Sequence, residues 1–227
     1  MKKKSKVWYL ENFNFFAELS LEHRTFVCQN TVMRTIQKDE LVYFQEDLAH
    51  SVYFLKMGRI KISKFSEDGQ EFLVTILQPG EVFGEASILG INKRKEAAIA
   101  EEQVTFCVMK EEHFRKLLLM SPALNLKFSQ LLEDKLEKTQ KRLQDLSLKN
   151  NQQRIIEFLR ETALDSSKEH KGELIINNSL THQRIAQLTS TNRQEVSSVL
   201  SLLKKNRIID YNRKVIKILK MDQLVSH

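Results

Sequence analysis

The sequence predicts an α+β protein in which an antiparallel β domain is followed by a long helix and then by a small helical domain with a β hairpin. Three observations predict this order. Short apolar runs rich in β-branched and aromatic residues fill residues 33 to 109. No Gly or Pro interrupts residues 123 to 150. Two amphipathic helical patterns joined by a short polar break occupy residues 181 to 206.

The first domain, residues 1 to 120, is predicted to contain antiparallel strands. The apolar runs are LVYF at 41–44, SVYFL at 51–55, RIKISKF at 59–65, EFLVTIL at 71–77 and VTFCVM at 104–109. Asp68-Gly69 separates two of these runs and is the strongest hairpin signal that two residues can give. We therefore expect a hairpin at this point.

The long helix is predicted over residues 121 to 150. Leucine or threonine recurs at steps of four and three residues, at Leu132, Leu136, Thr139, Leu143 and Leu146. This heptad spacing is typical of a two-helix interface. An amphipathic helix lying on its own domain is the alternative, but the apolar stripe is narrow and is flanked by interleaved charges, which favours a homodimer.

The third domain, residues 151 to 227, is predicted as a winged helix-turn-helix. Its elements are a helix at 151–164, a short strand at 173–177, a helix capped by Thr181, a break at 189–191, a helix at 192–206, and a hairpin formed by 208–211 and 215–219. Positive charge concentrates here: the chain carries +7 in all, and residues 180 to 220 hold 9 Lys or Arg against 2 Asp or Glu. That asymmetry is typical of a nucleic-acid-binding module.

The helix at 192–206 is the strongest functional signal. Arg193 can donate two hydrogen bonds to guanine, Gln194 can pair with adenine, and Ser197 and Ser198 leave the outer face small enough to enter a major groove. A solvent-facing helix of an ordinary bundle would also be polar outside, but the preceding turn and the basic hairpin favour DNA. The expected phosphate contacts are Thr181, His182, Lys204, Lys205, Arg213 and Lys214.

Other chemistries have little support in the sequence. Cys28 and Cys107 are far apart and form no CxxC motif, which fits a reducing cytoplasm, and no export signal or membrane segment is predicted. The histidines lack metal-ligand spacing, and the phosphate loop and the nucleophile elbow are both missing. We therefore assign no metal and no cofactor, and expect no catalysed reaction.

The sequences PGEVFGEASIL and THQRIAQLTSTNRQEVSSVLSLLKKNRII, in this order of domains, resemble the Crp/Fnr family of bacterial transcription regulators. The resemblance implies a double-stranded β-roll, a homodimer along the long helix, and double-stranded DNA as partner, with RNA polymerase as a further candidate. It also implies that Arg193, Gln194 and Ser198 face the bases. An arginine is usual at the position of Ser198, so we expect a half-site that differs from the commonest family sequence.

The resemblance also implies an effector pocket in the β-roll. Gly84 and Glu85 match the pair that holds the ribose in cyclic-AMP-binding members, whereas Lys95-Glu96 stand where an Arg-Ser pair would hold the phosphate. Lys135 and Thr139 correspond roughly to the residues that meet the adenine. Because Glu96 would repel a phosphate, we expect a regulator that does not depend on cyclic AMP. A sensing module that acts on a protein partner is the alternative function.

Overall fold

The computed structural model describes residues 13–167, 174–177, 180–212 and 215–224. The chain divides into two compact units, Met1–Asp134 and Lys135–His227. Within the described residues, no helix is both long and apolar enough to cross a membrane.

In its described residues, the first unit contains eight strands in two antiparallel four-stranded sheets, with orders β1-β8-β3-β6 and β2-β7-β4-β5. The strands are β1 Thr31–Ile36, β2 Leu41–Tyr43, β3 Ser51–Met57, β4 Ile60–Phe65, β5 Glu71–Leu77, β6 Val82–Phe83, β7 Ala97–Ala100 and β8 Val104–Lys110. All five predicted strands are present, and β1, β6 and β7 are additional. Buried residues from both sheets, among them Tyr43, Leu55, Ile60 and Phe106, form one apolar cluster.

The predicted hairpin joins β4 and β5. Phe65 pairs with Glu71, and the turn is closed by hydrogen bonds between Ser66 and Gln70 and between Gly69 and Ser66. Gly69 has φ +76°, a conformation that an L side chain rarely adopts. The hairpin predicted at Asp68-Gly69 is therefore present, with Gly69 in the left-handed conformation.

Helices cover the outer side of the first sheet. They are α1 Leu21–Gln29, α2 Glu111–Met120 and the start of α3 Pro122–Leu148, preceded by a short 3-10 turn at Asn14–Phe16. A second apolar cluster lies beneath them and includes Phe16, Phe54, Phe114 and Phe128, none more than 4% exposed. Leu132, the first residue of the predicted heptad, is partly buried against this cluster.

The second unit contains the predicted helix-turn-helix and wing. After the last turns of α3 come α4 Asn151–Ser167, β9 Ile175–Asn177, α5 His182–Thr189, α6 Arg193–Lys205, β10 Ile209–Tyr211 and β11 Val215–Ile218. The strands form a three-stranded antiparallel sheet of order β10-β11-β9. The core beneath α6 includes Ile155, Leu159, Ile185 and Leu200, all fully buried. The predicted fold class, an antiparallel β domain followed by a long helix and a winged helix-turn-helix, is confirmed.

Candidate nucleic-acid interface

The turn between α5 and α6 is defined by side-chain caps at both helix starts. Thr181 Oγ1 accepts a hydrogen bond from the Arg184 amide at 3.3 Å, and Asn192 Oδ1 accepts one from the Glu195 amide at 2.9 Å. Ser190 ends α5 with φ +52°, which reverses the chain within three residues. The break predicted at 189–191 is therefore a left-handed helix end followed directly by a new N-cap.

Helix α6 separates its buried and exposed residues as its sequence predicts. Val196, Val199, Leu200 and Leu203 are at most 7% exposed and pack into the unit. The side chains of Arg193, Gln194 and Ser198 are exposed on the outer surface near its N-terminus. This end of the helix therefore offers a guanidinium, an amide and a hydroxyl group to a ligand.

Ser197 differs from its neighbours because its hydroxyl is engaged within the unit. Its Oγ donates to the Arg193 carbonyl oxygen at 3.0 Å and lies 2.8 Å from Nδ1 of His182. The structure thus brings together two residues expected to contact different parts of DNA, one the bases and the other a phosphate. Their contact links the first turns of α5 and α6.

The cations expected to contact phosphate lie in different surroundings. Lys204 Nζ forms an ion pair with Asp210 at 2.8 Å and donates to the Tyr211 carbonyl oxygen at 3.1 Å, so it is tied to strand β10. This ammonium group holds the pKa of the exposed Asp210 carboxyl below its usual value. Lys205 is exposed. Arg213 and Lys214 lie outside the described residues.

Arg154 on α4 fixes the backbone around the turn and was not identified from the sequence. Its guanidinium group donates to the carbonyl oxygens of Thr189 at 2.9 Å, Ser190 at 3.0 Å and Lys149 at 2.8 Å, and to Asn151 Oδ1 at 2.6 Å. One side chain therefore joins the end of α3, the start of α4 and the helix-turn-helix turn. We call this arrangement the Arg154 clamp. Most of its partners are backbone carbonyl oxygens, which every residue type carries, so the sequence does not indicate these contacts.

In the β-roll, the cation beside Gly84 is Arg94, which directly precedes Lys95 in the sequence, and the expected role of Lys95 at a phosphate stays a prediction. Arg94 is 4% exposed, and its two terminal nitrogens donate to Gly84 O at 2.8 Å and Ser51 O at 2.7 Å. Lys95 is exposed and Glu96 half-buried. Both lie in a bend before β7, so the alternation of a strand does not separate their side chains.

The Arg94 guanidinium also stacks on aromatic rings that line the roll. Its central carbon lies 4.4 Å from the Tyr43 ring centroid and 5.4 Å from that of Tyr53. Burial raises the pKa of the Tyr43 hydroxyl, Arg94 opposes this rise, and Glu85 and Glu96 reinforce it. The carboxylates of both glutamates and the guanidinium group of Arg94 therefore act electrostatically on the same tyrosine.

The remaining expected pocket and seam residues lie on α3. Thr139 Oγ1 donates to the Lys135 carbonyl oxygen at 2.8 Å, a contact within the helix. Both residues belong to the second unit, and their role in an effector pocket stays a prediction. Leu136, Leu143 and Leu146 are 50%, 65% and 43% exposed. The apolar seam is thus largely uncovered in the single chain.

Two family models match the chain: a cyclic nucleotide-binding domain at residues 33–121 and a Crp-like helix-turn-helix domain at residues 153–226. The chain is 28% identical over 187 residues to the global nitrogen regulator of Nostoc, covering 82% of this chain and 84% of that protein. It is 27% identical over 168 residues to the cyclic AMP receptor protein of Thermus thermophilus, covering 74% of each.

The fold is also shared with solved structures. A CooA variant from Carboxydothermus hydrogenoformans superposes with a TM-score of 0.74 at 21% identity, over 98% of this chain and 95% of that one. The β-roll and the helix-turn-helix thus each match a family model, and curated relatives span both units in the same order. The chain belongs to the Crp/Fnr family of DNA-binding transcription regulators.

Proposed function

We propose that the protein is a homodimeric regulator that binds a pseudo-palindromic operator in the bacterial cytoplasm through α6. The observation that carries this proposal is the N-terminal end of α6, where Arg193, Gln194 and Ser198 are exposed while the opposite face is buried. A recognition helix reads base edges from this end. RNA polymerase is the further partner we propose for the operator-bound protein.

Base readout follows from the chemistry of these three side chains. The Arg193 guanidinium fits guanine O6 and N7, and the Gln194 amide fits adenine N6 and N7. Ser198 is too short to span a base pair in the way that an arginine would, so it contributes one hydrogen bond at most. The half-site should therefore be specified mainly by two neighbouring base pairs.

Phosphate contacts would position α6 without reading sequence. Lys205 is exposed at the end of α6 and Thr181 is exposed at the start of α5. We assign Lys204, Arg213 and Lys214 to the same role. Lys204 would keep its ion pair with Asp210, so we expect it to contribute less than Lys205 to the salt dependence of binding.

A second copy is the partner we propose for the exposed seam of α3. Leu136, Thr139, Leu143 and Leu146 recur at heptad positions, and the three leucines are exposed although α3 is continuous over them. The side of α3 that meets α4 is different: Lys141 pairs with Glu161, and Lys149 lies 3.8 Å from Glu157. The leucine seam therefore remains available for an identical helix.

We further propose that cyclic AMP is not the effector. The terminal nitrogens of Arg94 each donate a proton to a carbonyl oxygen, which leaves only part of the guanidinium group's donors for a phosphate. Glu85 and Glu96 also add negative charge to the pocket. The expectation that the protein does not depend on cyclic AMP therefore rests on the contacts of Arg94, and not on the Lys95-Glu96 pair alone.

Selection of operator fragments from genomic DNA with the full-length protein tests the proposal. We expect enrichment of a two-fold symmetric sequence with half-sites about 34 Å apart, bound by two chains. Enrichment of no sequence, or binding by a single chain, would contradict it. A regulator that acts only on a protein partner would give no specific DNA complex. Titration with cyclic AMP in the same assay should leave operator affinity unchanged.

A further inference from the structure

His182 occupies a bridging position between the two helices of the helix-turn-helix and the wing. Its Nδ1 lies 2.8 Å from Ser197 Oγ on α6, and its ring meets the Tyr211 ring of β10 edge-on, with centroids 6.1 Å apart. Residues of two other elements, α6 and β10, therefore hold one half-buried imidazole ring.

We propose that His182 and Ser197 form a positioning pair that orients Arg193, and that neither contacts DNA directly. The proposal rests on the DNA-binding function proposed above and refines its contacts. It removes His182 from the expected phosphate contacts and Ser197 from the residues expected to contact bases.

The hydrogen-bond arrangement limits what the pair can do. A serine hydroxyl has a single proton to donate. When Ser197 donates it to the Arg193 carbonyl oxygen at 3.0 Å, His182 must donate its Nδ1 proton to Ser197 Oγ. The neutral imidazole then carries no proton on Nε2, which leaves an acceptor there, and an acceptor does not bind a phosphate oxygen.

The imidazole ring is also supported from the wing side. Lys204 Nζ donates to the Tyr211 carbonyl oxygen at 3.1 Å and lies 4.9 Å from the centroid of the Tyr211 ring. The far end of α6 is thus linked through Tyr211 to His182, and through Ser197 back to Arg193 at the start of α6. A ring held in this way is suited to fix the rotation of a helix.

Loss of this pair should change the sequence specificity of DNA binding and not the affinity for DNA in general. Arg193 is the first residue of α6, and its carbonyl oxygen is the acceptor that the pair orients. A change in the rotation of this turn moves the guanidinium away from the base edge, while phosphate contacts elsewhere are unaffected. Loss of the pair should lower operator binding and leave binding to random DNA unchanged.

Two substitutions of His182 separate the two roles. In His182→Asn the amide nitrogen can take the place of Nδ1 and donate to Ser197, whereas in His182→Gln it can take the place of Nε2 and reach outward. We expect the Asn variant to keep the wild-type ratio of operator to random-DNA affinity and the Gln variant to lose about 2- to 10-fold, the effect of one neutral hydrogen bond. The salt dependence of DNA binding should be the same for both variants.

Ser197→Ala completes the test. Combined with His182→Gln, it should lower the ratio no further than either change alone, because both remove the same hydrogen bond. A Gln variant that keeps operator affinity while the Asn variant loses affinity for all DNA would overturn the proposal and make His182 a phosphate contact. Additive losses would overturn it as well. Failure of wild-type protein to prefer any operator would instead refute the proposed function.

Discussion

Lys56 is a buried amine in the first unit, and its replacement by methionine should stabilise the protein. The side chain is 8% exposed, and among the described residues its Nζ has no hydrogen-bond partner. Burial lowers its pKa from 10.5 to about 8. Each pKa unit corresponds to about 1.4 kcal/mol, so the charged form costs about 3 kcal/mol in the folded state.

Part of this cost is offset by the ring of Phe13, whose centroid lies 4.0 Å from Nζ. A cation over an aromatic ring contributes about 0.5 to 2 kcal/mol. Methionine has a similar length, carries no charge and keeps a favourable sulfur contact with the ring. We therefore expect Lys56→Met to raise the free energy of unfolding by about 1 to 3 kcal/mol at pH 7.

The pH dependence of the stability gain shows whether it comes from removal of the buried charge. Because the pKa is lower in the folded state, the unfolded state binds more protons between pH 8 and 10.5, and wild-type stability should rise with pH in this window. The advantage of the methionine variant should therefore be full below pH 8 and fall to about half at pH 9.5. Lys56→Gln is the matched control, since a buried amide without a partner forfeits part of the gain.

Scanning calorimetry of the full-length chain at pH 7 and 9.5 measures both effects. A gain of 1 kcal/mol corresponds to about 2 to 4 °C in the melting temperature of a chain of this length. An unchanged or lower melting temperature of Lys56→Met at pH 7 would refute the argument from burial. An equal gain at both pH values would show that the gain comes from packing.

Three further predictions concern the seam, the recognition helix and a strained turn. Leu136→Asp combined with Leu143→Asp should give monomers by light scattering, because unpaired charges would be buried between the helices. Arg193→Ala should cost about 1 to 3 kcal/mol on the operator and relax one base preference, whereas Lys205→Ala should weaken all sequences alike and flatten the salt slope in binding titrations. Arg207 has φ +54°, so Arg207→Gly should raise stability in urea titrations by about 0.5 to 1 kcal/mol and leave operator affinity unchanged.

The elements that could be predicted are those in which local chemistry and tertiary structure agree. EFLVTIL matches β5 in both of its bounds, since β-branched and aromatic residues fill it. Strand β7, Ala97–Ala100, was missed because alanine favours helices and only its pairing with β2 and β4 makes it a strand. Strand β1 was missed because its residues are mostly exposed and show no alternation.

Side-chain contacts were harder to predict than elements. The resemblance pointed to Lys95 as the cation of the pocket, but the buried cation beside Gly84 is its neighbour Arg94. An error of one residue in the alignment thus replaces a buried residue with an exposed one. Ser197 was expected on the outer face because its helical position permits this. Its contact with His182 depends on how α5 packs against α6, which sequence spacing does not encode.

The Arg154 clamp has a consequence for the DNA that the proposed dimer can accept. One guanidinium group joins the end of α3, α4 and the turn before α6. If two α3 helices pair as proposed, they should therefore fix the distance between the two recognition helices, which should adjust little. One extra base pair between half-sites adds about 3.4 Å and rotates one of them by about 35°. The protein should therefore bind an operator lengthened by a single base pair much more weakly than the original operator. The Arg154→Ala variant should lose less affinity on that insertion.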